Sequence, residues 1–417
     1  MPAPFQSLLA HYRLWVAALA LVPAILHAQE RRPVAEFTVG REGRPLLLPV
    51  RMGNQEFRML VDTGATLTGF DVTLRKELGP SLGSEALSTP TGPILADTFR
   101  PPEATVGNLP LEGPRKVFCH DFRTFREATG EPIFGVIGID FLNRWIVQID
   151  FDRGYLRLFR PDTEPAAAWG EQTELIRDPQ YRPCVIGRAG DSLEVAWLID
   201  TGANNNSVRP ELFDRLVKTR QLQLGARYAS VAAGGRLNGA AGRLSVLDIE
   251  GFHHEQLRCE RARPSSLGLN YLSRYTLTLD LPRQRAWFKP GQHFQRPEAP
   301  ATSGLVLKRV DRQTLVAAVK PQSAALRAGL QADDELLTVN GLPVEKLDFF
   351  ELRRLLTSQV GRRIPVEIRR DGHQIAIELK LESIDRVPDE PEQKVSSVDA
   401  TSVRGTTRTR GTAPARS

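Results

Sequence analysis

Two stretches of the chain share one pattern of apolar and polar positions. Val50 to Ala65 reads as a hairpin that ends in an apolar strand, with its turn signal at Gly53-Asn54. Val185 to Ala203 repeats the design, with its turn signal at Gly190-Asp191. Each strand runs straight into Asp-Thr-Gly-Ala, at Asp62-Thr63-Gly64-Ala65 and Asp200-Thr201-Gly202-Ala203.

A second matched block follows each hairpin. Val136-Ile137-Gly138-Ile139-Asp140-Phe141-Leu142 leads on to Asp150 and Phe159-Arg160-Pro161. Ser266-Leu267-Gly268-Leu269-Asn270-Tyr271-Leu272 leads on to Asp280 and Phe288-Lys289-Pro290. Asp62 and Gly138 are 76 residues apart, Asp200 and Gly268 are 68 apart, and the landmarks keep their order. A duplicated β-rich lobe is the reading.

After Pro297 to Ser303, which reads as a linker, the pattern changes. Strands are expected at Ser303 to Leu307, Leu315 to Val319, Ile364 to Ile368 and Gln374 to Leu381. The last two are joined by an Asp371-Gly372 turn, and Phe349 to Leu356 reads as a helix.

The 417 residues suit roughly three domains at about 150 residues each. With 41% hydrophobic and 25% charged residues, the chain is neither mostly disordered nor a multi-span membrane protein. Thirty prolines and 33 glycines favour turn-rich β structure. The charge of +6 comes from scattered arginine, with no run of five basic residues, so a solvated surface is expected and no nucleic-acid partner. Ser402 to Ser417 reads as disordered.

Residues 1–28 read as an export signal, with His11 and Arg13 before an apolar run of thirteen from Leu14 to Leu26, and Ala28 at the cleavage position. The protein is therefore expected to be periplasmic or secreted, and anchored in the inner membrane if the segment is retained. Cys119, Cys184 and Cys259 match no zinc spacing. A Cys184–Cys259 disulfide within one repeat and three buried free thiols are both open. His253-His254 is the only histidine cluster and is expected in a surface loop beside Gly251-Phe252. Ser207 and Ser230 lack a Gly-x-Ser-x-Gly setting, and no phosphate loop is present.

Two Asp-Thr-Gly loops on duplicated lobes can meet at a pseudo-twofold axis. Two carboxyls in contact share one proton, so one serves as general base on water while the other donates to a carbonyl oxygen. Thr63 and Thr201 can lock the loops by bonding backbone across a tight site, and Gly64 and Gly202 allow the sharp turn. This chemistry needs no metal or other cofactor. Alanine at 65 and 203 cannot donate a side-chain hydrogen bond to the carboxylate, so activity at weakly acid to neutral pH is expected.

Residues 35–290 resemble a two-lobed aspartic protease of the pepsin and retropepsin superfamily, and the alanine after each glycine is retropepsin-like. The resemblance implies a mainly β protein with duplicated acid-protease β-barrel lobes, at 35–162 and 172–290, and Asp62 and Asp200 as the catalytic pair within one chain. Thr63, Gly64, Ala65, Thr201, Gly202 and Ala203 would support the site. Substrate-covering flaps are expected at Ser88 to Asp97 and at Ala232-Ala233-Gly234-Gly235 with Gly239. Asn204 opposite Thr66, Ser266 in an apolar position and the lack of a flap tyrosine depart from the family pattern.

Residues 303–383 resemble a small α+β bacterial PDZ domain, through Ala328-Gly329-Leu330, Asp334-Glu335-Leu336-Leu337 and Val339-Asn340-Gly341. The linker would span 291–302 and the disordered tail 384–417. The resemblance implies capture of an extended peptide C-terminus at Ser303, Gly304, Leu305 and Val306, with Leu352, Arg353 and Leu356 lining the groove. Polypeptides are then the expected substrates. A non-catalytic peptide-binding protein with a degenerate protease fold is the alternative.

Overall fold

The computed structural model describes residues 32–225, 227–232 and 234–385. The export-signal reading, the tail beyond 385 and Ala233 lie outside them. The described chain is mainly β, and none of its helices is long and apolar enough to cross a membrane.

The repeat seen in the sequence is a repeat of strand pairing. In lobe one, Leu47–Met52 and Gln55–Val61 form the hairpin, and Ile133–Ile137 runs parallel to the second strand with Val136 beside Leu60 and Ile137 beside Val61. In lobe two, Pro183–Ala189 and Leu193–Ile199 form the hairpin, and Ser266–Leu267 runs parallel with Ser266 beside Leu198 and Leu267 beside Ile199. Pairing of Pro183–Ala189 with Ala241–Ile249 closes the lobe-two sheet into a barrel.

A six-stranded sheet takes three strands from each lobe. At its centre Ile146–Asp150 pairs antiparallel with the equivalent strand Tyr275–Asp280, and Gln148 lies opposite Thr278. The Gln148 Nε2 donates to Thr278 Oγ1 at 3.0 Å, which satisfies both polar groups in an otherwise apolar layer. One hydrophobic core runs through both lobes, from Leu48, Val61 and Phe141 to Trp197, Tyr271 and Leu279.

The third unit has its own core around Leu307, Leu336, Leu352 and Ile368. Its strand Leu305–Val310 is the sheet edge, paired only with Gln313–Val319 among the described residues. The helix Phe349–Leu355 begins at Asp348, whose carboxylate accepts from the Phe350 and Glu351 amides. The Asp371-Gly372 turn has φ of 49° and 81°, the left-handed pair that a two-residue hairpin of this kind requires.

The structure decides the open cysteine reading and corrects the placement of the histidine pair. All three cysteines are free and buried. Cys184 pairs across its sheet with Ile176 and Leu198, Cys259 with Asn206 and Gly242, so no ladder brings the two thiols together. His253 and His254 lie on the strand Phe252–Arg261 rather than in a loop. Strand alternation turns His253 outward and His254 inward, where its Nε2 meets the Tyr275 hydroxyl at 2.5 Å. The end of the expected linker is also structured, since Ala301–Thr302 pairs with Glu382–Ser383 and Glu298 pairs with Arg274 at 3.2 Å.

Candidate active site

Each Asp-Thr-Gly loop leaves the end of an apolar strand and is held by the parallel strand beside it. The Asp62 amide donates to Ile137 O and the Asp200 amide to Leu267 O, both at 3.0 Å. The Ile139 amide reaches Ala65 O at 2.9 Å and the Leu269 amide reaches Ala203 O at 2.8 Å. The two loops are thus fixed in the same way by rigid elements.

The threonines join the loops across the lobe boundary. Thr63 Oγ1 donates to Ile199 O at 2.5 Å, and Thr201 Oγ1 donates to Val61 O at 2.8 Å. Each hydroxyl also accepts the other threonine's amide at 3.1 Å. Both side chains are fully buried.

This lock puts each carboxyl against the opposite glycine. A Cβ on Gly64 would fall 2.7 Å from Asp200 Oδ1, and a Cβ on Gly202 would fall 2.3 Å from Asp62 Cγ. Glycine is required here by close approach. The Gly64 amide donates to Asp62 Oδ1 at 2.8 Å, while the Gly202 and Ala203 amides donate to Asp200 Oδ1 at 3.0 and 3.1 Å.

Burial raises the pKa of both carboxyls above the ordinary aspartate range. For Asp62 the neighbouring Asp200 charge adds to burial, and the group is pushed up to about 7. The backbone amides and the Arg182 guanidinium pull the other way on both. The outcome is a carboxyl pair that holds a proton near neutrality, with alanine at 65 and 203 contributing only its backbone.

Two hairpins supply residues to the cavity that Asp200 lines, Pro90 from one and Tyr228 and Leu237 from the other. Ser81–Thr89 with Gly92–Phe99 comes from lobe one, and Tyr228–Ala232 with Gly235–Gly239 from lobe two. Their tips touch, because a Cβ on Gly234 would fall 2.2 Å from Thr91 Oγ1 and 2.9 Å from Ile94 Cγ2. Gly235 has open space around its Cα.

The departures from the repeat have local partners. Ser266 is buried, and its hydroxyl lies 2.8 Å from that of Ser207. Asn204 is exposed, and its carbonyl accepts the Asn270 amide at 2.9 Å.

Several site residues carry no clear signal in the sequence. Thr68 Oγ1 and Asn206 Oδ1 accept the amides of Gly138 and Gly268 at 3.2 and 3.1 Å. Both stand six residues after their aspartate, the one regularity that could have found them. Glu260 is a buried carboxylate that accepts from Asn205 at 2.6 Å, and burial pushes it up to about 7. Arg182 donates from lobe two to Gly64 O at 3.2 Å.

A cavity of about 1390 Å³ has Asp200, Thr201 and Gly202 in one wall and Leu305, Val306 and Arg353 in another. Ser303 and Leu356 are buried at its edge, whereas Leu352 is fully buried in the core of the third unit. Gly304, at φ 82°, donates its amide to Thr302 Oγ1 at 3.1 Å, and the Leu305 amide donates to Ser303 Oγ at 3.2 Å.

Residues 48–141 match the family model for aspartyl proteases, and residues 315–370 match that for PDZ domains. The chain carries an aspartyl protease domain followed by a PDZ domain. No curated protein matches the chain. Among solved structures, it is similar to a photosystem II D1 C-terminal processing protease at 21% identity and a TM-score of 0.20, covering 20% of this chain and 24% of that one. It is similar to the HtrA3 PDZ domain bound to a phage-derived ligand at 23% identity and a TM-score of 0.18, covering 20% of this chain and 85% of that one. A PDZ domain protein from Parabacteroides distasonis shares 20% identity at a TM-score of 0.18, over 20% of each chain.

Proposed function

We propose that the protein is an exported aspartic endopeptidase in which Asp62 and Asp200 activate water between the lobes. The observation that carries the reading is the packing of each carboxyl against the glycine of the opposite Asp-Thr-Gly loop. Asp200 in its charged form accepts a proton from the water as it attacks the peptide carbonyl. Asp62, pushed up to about 7, holds the shared proton and donates it to the carbonyl oxygen. The tetrahedral adduct then collapses with proton transfer to the amine, and the pair returns to its starting state. No covalent enzyme intermediate forms.

The two hairpins exclude bulk water once a peptide is bound, and they must part to admit one. The PDZ domain contributes peptide capture or regulation through the groove between Leu305–Val310 and Phe349–Leu355. Residues 1–28 direct export.

The test is cleavage of a peptide library by the mature protein from about pH 4 to 8, beside Asp62→Asn and Asp200→Asn. Cleavage by the wild type and a loss of about 10³-fold in both variants supports the pair. A silent wild type, or variants that cut equally well, puts a non-catalytic peptide-binding protein in first place.

A further inference from the structure

The arginine at the lobe boundary has a counterpart that the PDZ domain holds. Arg182 precedes Asp200 by 18 residues, and Arg44 precedes Asp62 by the same 18. Both stand just before the first strand of their hairpin, each followed by proline. Both approach segments also cross to the opposite lobe at equivalent places. Arg177 donates to Asn143 Oδ1 at 2.6 Å, at the end of the short helix Ile139–Leu142. A Cβ on Gly43 would fall 3.3 Å from Ser273 Oγ, at the end of the matching helix Leu269–Leu272.

The side chains end differently. Arg182 is only 14% exposed and is clamped by Asp178 Oδ2, at 2.9 Å from Nε and 2.6 Å from Nη2. That clamp aims Nη1 at Gly64 O, 3.2 Å away, in the loop that carries Asp62. Arg44 instead reaches the PDZ domain. It meets Asp348 at 2.9 Å and Glu351 at 3.5 Å, and its guanidinium lies 5.1 Å over the Phe350 ring, all on the PDZ domain. Pro45, next to it, still lines the same cavity as Gly202.

We propose that Arg182 is a positioning residue of the carboxyl pair, and that Arg44 is its lobe-one counterpart, withheld from Gly202 O while the PDZ domain is docked. The proposal rests on the aspartic endopeptidase reading. Arg182 does two things at once: it ties the lobe-one loop to lobe two, and it places a fixed cation beside the pair. Docking leaves the pair with one such cation, and release of Asp348 and Glu351 supplies a second. A ligand that draws the PDZ domain off the lobes thereby alters the pair electrostatically. The charged and titratable groups facing Arg182 are Asp178, Cys184, Asp62 and Asp200. Those facing Arg44 are Asp348, Glu351 and Glu131.

The test uses the full chain with ¹³C-labelled aspartate carboxyls, titrated by NMR, with Asp62→Asn and Asp200→Asn to assign the pair. This readout does not depend on cleavage, so a chain that fails to cut peptides refutes the proposed function without touching this result. Arg182→Gln is expected to move the titration of the pair upward by about one pH unit, as loss of a nearby cation does. Arg182→Lys, which keeps the charge, is expected to titrate near the wild type, and Arg182→Met, uncharged and of similar length, takes the place of the glutamine variant with the same expected shift if that one does not fold. Asp348→Asn with Glu351→Gln is expected to move the titration downward, and adding Arg44→Gln to abolish that movement. An unmoved titration in Arg182→Gln, or a shift in Arg182→Lys as large as that in a folded Arg182→Gln, overturns the role of Arg182. A downward shift that survives Arg44→Gln, or no downward shift at all, overturns the role of Arg44.

Discussion

Thr63 and Thr201 exchange four hydrogen bonds across the lobe boundary: each hydroxyl donates to a carbonyl on the other strand and accepts the other's amide. Both threonines are buried, so the lock works without competition from water. It fixes where the two carboxyls stand before any substrate arrives.

Removing one hydroxyl therefore has an effect beyond its own bond. Thr63→Ala or Thr201→Ala leaves a buried amide and a buried carbonyl unpaired, at a cost of about 1–3 kcal/mol each. Denaturant unfolding should show that loss in either variant. Thr63→Ser, which keeps the hydroxyl, should stay within about 1 kcal/mol of the wild type. The double alanine variant should lose less than the sum of the singles, because the two hydroxyls also meet each other at 3.4 Å and either single already removes that contact.

Gly202→Ala and Gly64→Ala test the close approach of the carboxyls. The added methyl collides with Asp62 and Asp200 respectively. Steady-state kinetics should show kcat reduced by about 100-fold or more, since displacement of reacting groups by about 1 Å has effects of that size. Circular dichroism should show the β fold retained.

Stability should depend on pH through the same pair. Asp62 in the folded protein is raised to about 7, above its value of about 3.8 in the unfolded chain. The folded state therefore holds the proton more tightly through this window. The pair's contribution is complete below the unfolded value and is lost as pH rises through the folded one. Asp62→Asn, neutral at every pH, should unfold at a higher temperature than the wild type at pH 8. That advantage should shrink toward pH 4. A melting difference that grows on acidification would contradict the burial and charge repulsion assigned here.

The touching hairpin tips predict a lock. Thr91→Cys with Gly234→Cys should form a disulfide under mild oxidation, at the cost of a side chain at φ 90°, the native cysteines being buried. Cleavage of long peptides should stop in the oxidised form and return on reduction. The wild type under the same oxidant should be unaffected.

Much of the protease domain is legible in the order of its residues. The matched hairpins, each ending in Asp-Thr-Gly-Ala, point to both lobes and both candidate aspartates, because a strand leading to a tight glycine turn leaves a local signature. The turn at Asp371-Gly372 and the helix after Asp348 are legible for the same reason. His254 is not: it sits beside a turn signal, and only the packing of Tyr275 against it shows that the strand has already begun.

The sequence by itself determined the duplication, the strand periods, the loop chemistry and the order of the domains. These follow from local conformational preference and from the alternation of apolar positions. The tertiary structure alone decided which groups meet across lobes: Asp62 with Gly202, Thr63 with Thr201, Arg182 with Gly64, Gly234 with Thr91, and Arg44 with Asp348. None of these pairs is close in sequence. Each depends on how two rigid lobes and a third domain pack, which no local spacing encodes.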